Sequence, residues 1–236
     1  MKNNHWLGST LILTGSLCAF GGPLIQNGSF NTPGNTLSFA INVDQTLPGW
    51  AATPVNASDH PLDCLVTPGA TTNLCGPTAF GGGFTFWVNP GPSPDGGNYV
   101  AIDGSNAYAT PLTQTVAGLI VGNYYTLTFY QASGQQNGFS GNTTEQWQVT
   151  LGSQIRTTPI MTTLSHGSVG WSFQSLDFKA DATSEVLSFL AVGTPSGVPP
   201  FVMLDGVGLN AATAPEPETW ALVGLGLLAI PLIRKR

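Results

Sequence analysis

Charge is scarce in this sequence. Charged side chains make up 8% of its 236 residues, against about 25% in ordinary globular domains. Only two basic residues, Arg156 and Lys179, lie outside the terminal segments, whereas the same stretch carries ten of the 12 acidic residues. A protein that binds nucleic acid needs a basic surface to neutralise phosphates, so the composition excludes a nucleic-acid partner. The 42% of hydrophobic residues is enough for one sizeable core and argues against a disordered chain.

Long hydrophobic runs are also missing. At the N-terminus, Lys2 precedes a mostly apolar segment, residues 6–20, that is followed by small residues. This order is typical of a secretory signal peptide, which we assign to residues 1–22; a buried N-terminal helix is the alternative. At the C-terminus the uncharged run covers only residues 220–233, or roughly 21 Å of helix against ~30 Å of hydrocarbon core. It predicts a short apolar helix that is marginal as a membrane anchor.

Cysteine occurs three times, and Cys18 should be removed with the signal peptide. The remaining two, Cys64 and Cys75, lie in a proline-rich region between residues 50 and 98 that shows no regular pattern. Two cysteines of an exported chain predict a disulfide. Zinc binding is the alternative, with ligands that would have an unusual spacing: Asp59, His60 and Asp63.

Motifs of catalysis are absent from the sequence: it has no P-loop, no zinc-protease helix and no EF-hand loop. Only His60 and His166 remain after signal removal, and no pattern pairs either with a nucleophile. We read His166 as a histidine in a polar turn. Glycoside hydrolysis would need two acids held across a cleft, and sequence does not pair the candidates Asp95, Asp103, Glu145 and Asp177. We therefore predict no catalytic residue.

The C-terminal segment has three parts in a fixed order: the residues Pro215, Glu216 and Pro217, the apolar run, and three bases ending at Arg236. This order resembles the PEP-CTERM sorting signal of bacterial surface proteins, which exosortase enzymes process. Glu218 departs from the family, which usually places Ser or Thr there. The resemblance implies exosortase as a partner, membrane contact through the helix before processing, and a Gram-negative cell with an exopolysaccharide matrix. A simple membrane anchor is the alternative.

Between the signal peptide and the sorting signal, residues 213–236, lies one predicted domain of residues 23–212. Apolar residues alternate with polar ones in four runs, at positions 37–43, 125–129, 147–151 and 187–191. Period-2 alternation indicates strands with one buried and one wet face. Gly, Asn, Ser and Pro separate the runs, and no segment shows a long helical pattern. The sequence therefore predicts an all-β protein, an antiparallel jelly-roll β-sandwich.

Several short motifs of this domain resemble landmarks of galactose-binding-like jelly rolls, in the expected order: Asn27-Gly28-Ser29-Phe30, Pro48-Gly49-Trp50, Leu112–Val116, Gly122–Phe129 and Leu204-Asp205-Gly206-Val207. The family is rich in carbohydrate-binding modules, and many members hold a structural calcium between the first and last strands. The resemblance implies a calcium-ligand position for Asp205, whereas Asn31 stands where such domains commonly have an acid. A turn hydrogen bond is the alternative role of Asp205; no other cofactor is expected.

A polar strand face is the candidate binding surface. If the apolar residues of two runs point inward, then Tyr130 on one strand and Gln146 and Gln148 on the next point outward. The polar segment 133–142 would link these strands as a hairpin. Neutral amides and hydroxyls beside an aromatic ring suit a sugar, which has hydroxyl groups and an apolar ring face. An ordinary solvated strand face is the alternative.

The sequence thus predicts a non-catalytic, exosortase-sorted protein of the cell surface or extracellular matrix that binds exopolysaccharide or another glycan. A purely structural or adhesive matrix protein is the first alternative, and a secreted glycan-active hydrolase is the second.

Overall fold

The computed structural model describes residues 23–32, 37–41, 45–52, 62–72, 74–75, 83–105 and 110–212. The predicted signal peptide and the sorting segment lie outside these residues, as do Asp59 and His60 of the alternative zinc set. Within the described ranges, no helix has the length and apolar character needed to cross a membrane.

The described part of the chain forms strands that assemble into two antiparallel sheets, which confirms the all-β prediction. In chain order the strands are β1 Phe39–Ala40, β2 Ala51–Ala52, β3 Asp63–Val66, β4 Tyr99–Asp103, β5 Leu112–Ala117, β6 Tyr124–Gln135, β7 Thr143–Leu151, β8 Gln154–Thr157, β9 Met161–Thr163, β10 Ser168–Lys179, β11 Ser184–Thr194 and β12 Pro200–Ala211. Sheet 1 has the order β1-β3-β4-β12-β6-β10, and sheet 2 has the order β2-β5-β11-β7-β8, with β9 also paired to β7. Consecutive long strands alternate between the sheets, as in a jelly roll.

The main core lies between the two sheets and follows the predicted alternation. The inward side chains of β6, β7 and β11 are buried in one cluster: Tyr125, Leu127, Phe129, Trp147, Val149, Leu151, Leu187, Phe189 and Ala191. The indole Nε1 of Trp147 in sheet 2 donates to the carbonyl oxygen of Met203 in sheet 1 at 3.1 Å. This hydrogen bond joins the sheets through the middle of the core.

The strand predicted from residues 37–43 begins later than expected. Among the described residues of this run, Phe39–Ala40 pairs with β3, and Ile41 forms an isolated bridge with Gln45; residues 42–43 lie outside the described part of the chain. Leu37 is exposed because the strand begins two residues later. The alternation therefore identified the buried positions Phe39 and Ile41 but placed the start of the strand two residues too early.

A second hydrophobic cluster covers the outer face of sheet 1. Its members come from the five strands β1, β3, β4, β6 and β12 and from the proline-rich region: Ala40, Leu62, Cys64, Val66, Leu74, Cys75, Phe84, Phe86, Tyr99, Ala101, Ala132, Phe201 and Met203. Cys64 and Cys75 form the predicted disulfide, with their Cα atoms 4.8 Å apart. The proline-rich region is less irregular than predicted because it contains β2 and β3. Phe84 and Phe86 of this region pack on the sheet, and the disulfide fastens the segment that contains Cys75 to β3.

The predicted hairpin between β6 and β7 is wrong. Strand β6 pairs with β10 and β12 in sheet 1, whereas β7 pairs with β8, β9 and β11 in sheet 2. The segment that joins them crosses from one sheet to the other. The inward and outward positions on each strand were nevertheless predicted correctly, because alternation depends only on which face is buried.

Candidate functional site

The three residues predicted to form a glycan-binding face lie on opposite sides of the sandwich. Tyr130 is on the outer face of sheet 1, where its ring packs edge-on against Phe173 with centroids 5.5 Å apart. Gln146 and Gln148 are on the outer face of sheet 2, opposite Val192 and Leu190 of β11. The structure therefore brings the two glutamines together and separates both from Tyr130, because β6 and β7 belong to different sheets.

A different cleft opens on the outer face of sheet 1, between two loops of the proline-rich region. We call it the outer cleft; its volume is about 410 Å³. It is lined by Thr67, Pro68, Gly69, Ala70, Thr71, Asn89, Gly91, Pro92, Gly97 and Tyr99. These ten residues include no charged side chain. The cleft therefore offers apolar surface together with neutral hydroxyl, amide and backbone groups.

Tyr99, on β4, is the one aromatic side chain among the described residues that line the outer cleft, and it is held by a neighbouring loop. The Asn89 Nδ2 donates to the Tyr99 hydroxyl oxygen at 3.3 Å, and the Asn89 Oδ1 accepts from the Gly91 amide at 2.9 Å. Because Asn89 donates to this hydroxyl, the phenolic proton remains available to a ligand oxygen. Burial raises the pKa of Tyr99 to about 12, so the phenol keeps this proton at every physiological pH.

The second wall of the outer cleft is a tight turn. The Ala70 amide donates to the Thr67 carbonyl oxygen at 3.1 Å, and Gly69 has φ +74°. Pro followed by Gly at the two central positions is the signature of a type II turn, which needs positive φ at the second of them. The turn lies between Cys64 and Cys75, so the disulfide closes the loop that carries it.

Trp171 of β10 supports the cleft from its other side. Its ring meets Tyr99 edge-on with centroids 5.3 Å apart, and its Nε1 donates to the Gly91 carbonyl oxygen at 3.0 Å. Tyr99 and Gly91 are thus fixed both by Asn89 and by Trp171. Sequence reasoning missed these residues, although the long proline-rich region that contains Asn89 and Gly91 was a signal for a functional loop.

Asp205, the predicted calcium position, is fully buried on β12 beneath a loop that contains Asp95. Its Oδ1 accepts from the Gly206 amide at 2.8 Å, and its Oδ2 has no hydrogen-bond partner. Burial, against hydrogen bonding to Ser93 and to the Gly206 amide and with a smaller contribution from the charge of Asp95, raises the pKa of Asp205 to about 7. A buried carboxylate oxygen without a donor, next to a second carboxylate, is chemically suited to a hard cation.

The other residues around Asp205 and Asp95 offer few further ligands to a metal ion. The Asn31 Oδ1 accepts from the Asn98 amide at 2.8 Å, so this side chain orders the loop. Among the described residues, no group of three or more His, Cys, Asp or Glu side chains could hold a metal ion. A cation bound at Asp205 and Asp95 would therefore need backbone or hydroxyl oxygens as well.

The acids considered for hydrolysis are not arranged across an open cleft. Asp103 is fully buried beside Asp63, and burial raises the pKa of Asp103 to about 6 and that of Asp63 to about 7. Glu145 is buried between the sheets, where it accepts from the Thr163 hydroxyl at 2.8 Å. Asp177 is exposed on β10 and accepts a hydrogen bond from Thr126. No two of these carboxylates face a common exposed cleft within the described ranges.

The His166 side chain forms a hydrogen bond with a serine hydroxyl, a contact that the sequence did not indicate. It lies in the predicted polar turn with φ +65°, and its Nε2 is 2.7 Å from the Ser140 Oγ. A hydrolytic serine needs a base that is itself oriented by a third group, usually a carboxylate. Among the described residues no carboxylate contacts this histidine; its ring instead packs against Trp87, with centroids 4.1 Å apart.

Comparison with known proteins identifies the C-terminal segment. Residues 213–236 match the family model of the PEP-CTERM protein-sorting motif, which confirms the resemblance of the three-part tail. The motif indicates export and surface sorting in bacteria, with exosortase as the processing partner. The chain is thus a β-sandwich protein that carries a PEP-CTERM sorting motif.

The rest of the chain has distant relatives. It is 27% identical to Halomucin of Haloquadratum walsbyi over 207 residues, which cover 88% of this chain and 2% of that protein. The chain thus spans only a small fraction of this curated relative.

Solved structures with a similar backbone arrangement include TmCBM61 in complex with β-1,4-galactotriose. The TM-score is 0.43 and the identity 13%, covering 81% of this chain and all of that one. Another is the enzymatically active domain of tailspike protein 4 of bacteriophage CBA120, with a TM-score of 0.40 and 12% identity. The match covers 80% of this chain and 21% of that one. The fold assignment itself rests on the strand order and pairing described above.

Proposed function

We propose that this protein is a non-catalytic, exosortase-sorted surface or matrix protein of a Gram-negative bacterium that binds a neutral glycan in its outer cleft. The observation that carries the proposal is the lining of the cleft: ten residues without a charged side chain, with a buried tyrosine held in place by an amide. The sorting motif supports an extracellular location, where polysaccharide is an available ligand.

The chemistry of the outer cleft suits a sugar. A pyranose presents an apolar face and a ring of hydroxyl groups, and it is bound by apolar surface with a few neutral donors and acceptors. Tyr99 offers a hydroxyl, and Thr67 and Thr71 line the opposite wall. A charged ligand would leave its charge unpaired in this cleft, which is costly.

The absence of catalysis is part of the proposal. The acids of the sandwich are buried or isolated, and the Ser140–His166 pair has no orienting carboxylate among the described residues. We expect no release of reducing sugar from any polysaccharide that the protein binds. Release above that of a boiled control would favour the hydrolase alternative.

A glycan array with the mature, processed protein tests the binding proposal. Tyr99→Phe removes one hydroxyl and keeps the ring, so we expect it to weaken binding by about tenfold, the usual effect of one lost hydrogen bond. Tyr124→Phe is the matched control, because Tyr124 is exposed at the start of β6 and does not line the cleft. Absence of binding to every neutral glycan would instead favour a structural or adhesive matrix protein.

A structural calcium at Asp205 is a second element of the proposal. It is supported by the unpartnered, buried Oδ2 and by the neighbouring Asp95. We expect calcium to raise the melting temperature of wild-type protein relative to EDTA, and Asp205→Asn to abolish this shift. Asp177→Asn, at an exposed carboxylate of β10, is the matched control and should keep it. Equal melting temperatures in calcium and EDTA for the wild type would leave Asp205 as a residue that only hydrogen-bonds a turn.

A further inference from the structure

A second surface with exposed aromatic rings lies at the end of the sandwich where β6 runs into β7. It consists of Trp87, Phe139 and His166, which we call the aromatic platform. Trp87 is 38% exposed and Phe139 36% exposed, although both belong to residue types that are usually largely buried. The indole and imidazole rings pack against each other with centroids 4.1 Å apart.

Two hydrogen bonds fix the rings of the platform. The Trp87 Nε1 donates to the Phe139 carbonyl oxygen at 2.7 Å, and the His166 Nε2 lies 2.7 Å from the Ser140 Oγ. These contacts hold the rings in one orientation while parts of them remain exposed. Binding to such a surface loses little side-chain entropy, because the side chains are ordered before the ligand arrives.

A single buried residue, Gln135, ties the three platform loops together. Its carbonyl oxygen accepts from the Trp87 amide at 3.0 Å, and its Oε1 accepts from the His166 amide at 2.7 Å. Its Nε2 donates to the Gly141 carbonyl oxygen at 2.6 Å. Gln135, at the end of β6, therefore joins all three loops, two through its side chain and the third through its backbone carbonyl.

The groups around the rings are neutral. The described platform loops, residues 83–88, 137–142 and 164–167, contain no Asp, Glu, Lys or Arg. They offer hydroxyl and amide groups: Ser165 Oγ accepts from the Gly141 amide, and Asn142 Oδ1 accepts from the Ser165 amide, both at 2.9 Å. Exposed ring faces bordered by neutral hydrogen-bonding groups match the apolar face and the hydroxyl rim of a sugar.

We propose that the aromatic platform is a second saccharide-binding site, distinct from the outer cleft, which takes a neutral sugar ring by stacking on Trp87 and His166. The proposal rests on the proposed glycan-binding function and extends it. Two sites on one protein would let it bind a single polysaccharide molecule at two points, with a gain in avidity, or cross-link two polysaccharide molecules.

The two sites can be tested in one experiment, because each has its own indole reporter. The mature protein labelled with ¹⁵N-tryptophan is titrated with cellotetraose, mannotetraose and galactotetraose while the indole N–H resonances are followed by NMR. The Trp87 N–H reports on the platform, and the Trp171 N–H, which donates to Gly91 of the outer cleft, reports on the cleft. Trp87→Phe and Trp171→Phe assign the two resonances.

We expect at least one of these sugars to move the Trp87 resonance. Trp87→Ala and, separately, His166→Asn should weaken this binding by about threefold to tenfold, the range of one aromatic contact. Asn is chosen at position 166 because it tolerates the positive φ of that residue. Phe173→Ala is the matched control, since Phe173 is an exposed aromatic outside the platform, and it should leave the Trp87 titration unchanged.

The outcomes separate the two sites. Movement of Trp171 alone, with Trp87 unmoved by all three sugars, would overturn the platform and leave the outer cleft standing. Movement of Trp87 alone would support the platform and count against the cleft. Unchanged affinity in both Trp87→Ala and His166→Asn would also overturn the platform, provided that their melting temperatures match that of the wild type.

Discussion

Removal of the disulfide tests how the outer cleft is built. Cys64 and Cys75 are separated by 11 positions, and closing a loop of about 12 residues restricts the unfolded chain by about 3 kcal/mol in the chain-entropy model. For a domain of this size, that loss corresponds to a melting temperature lower by about 6–12 °C. Both half-cystines are fully buried in the second hydrophobic cluster, so replacing each by Ala adds a packing loss of about 1 kcal/mol.

The assay is chemical denaturation of three variants: Cys64→Ala, Cys75→Ala and the double variant. Each single change already breaks the bond, so the double variant should cost about 3 kcal/mol less than the sum of the two single costs. If the cysteines were not bonded, the two losses would simply add, and thiol titration of the unreduced wild type would find two free cysteines. Either result would refute the disulfide.

The same variants should affect binding selectively. The turn Thr67–Ala70 forms one wall of the outer cleft and lies within the loop that the disulfide closes. Without the bond this wall must be ordered when the ligand binds, so affinity at the cleft should fall. The three rings of the aromatic platform lie outside this loop, which touches the platform loops through the Leu74 amide that donates to the Phe84 carbonyl oxygen at 2.9 Å. The sugar titration of the platform should therefore change less than that of the cleft. Equal losses at both sites would mean that the disulfide supports the whole fold and not the cleft in particular.

Three further predictions follow from particular residues. Asp63 and Asp103 have folded-state pKa values of about 7 and about 6, above the ~3.9 of an unfolded Asp. The folded state therefore binds more protons between pH 4 and 7, and its stability should fall as the pH rises through this window. In EDTA we expect the melting temperature to drop between pH 4 and 7 and Asp63→Asn to flatten the slope; a slope that is unchanged in this variant would contradict the assignment. Trp147→Phe removes the indole that donates to Met203 across the core and should lower the free energy of unfolding by about 2–4 kcal/mol in denaturant melts. A change below 0.5 kcal/mol, roughly the effect of a surface substitution, would show that this hydrogen bond is dispensable. In the native host the segment after Pro217 should be absent from the surface-localised protein, and mass spectrometry that finds an intact C-terminus would contradict processing.

Alternation and composition were sufficient for the parts of the structure that depend on local sequence. Tyr125, Leu127 and Phe129 point inward because apolar residues at every second position of a strand share a face. Cys64 and Cys75 were paired correctly because the prediction assigned Cys18, the third cysteine, to a signal peptide and left no competing partner. The three-part tail was recognised because its order is contained within 24 consecutive residues.

The candidate sites depended on contacts that no local pattern specifies. Alternation tells which face of a strand is buried but not which strand lies beside it, so it could not show that Tyr130 and Gln148 belong to different sheets. The outer cleft joins Thr67, Asn89 and Tyr99 from three separate stretches of chain, because the second hydrophobic cluster draws the proline-rich region onto sheet 1. The amino-acid sequence by itself determined the all-β class, the buried positions, the neutral surface and the sorting tail. Only the tertiary structure decided which neutral side chains meet, because burial of apolar surface is non-directional and the partners of each strand are set by packing over the whole sandwich.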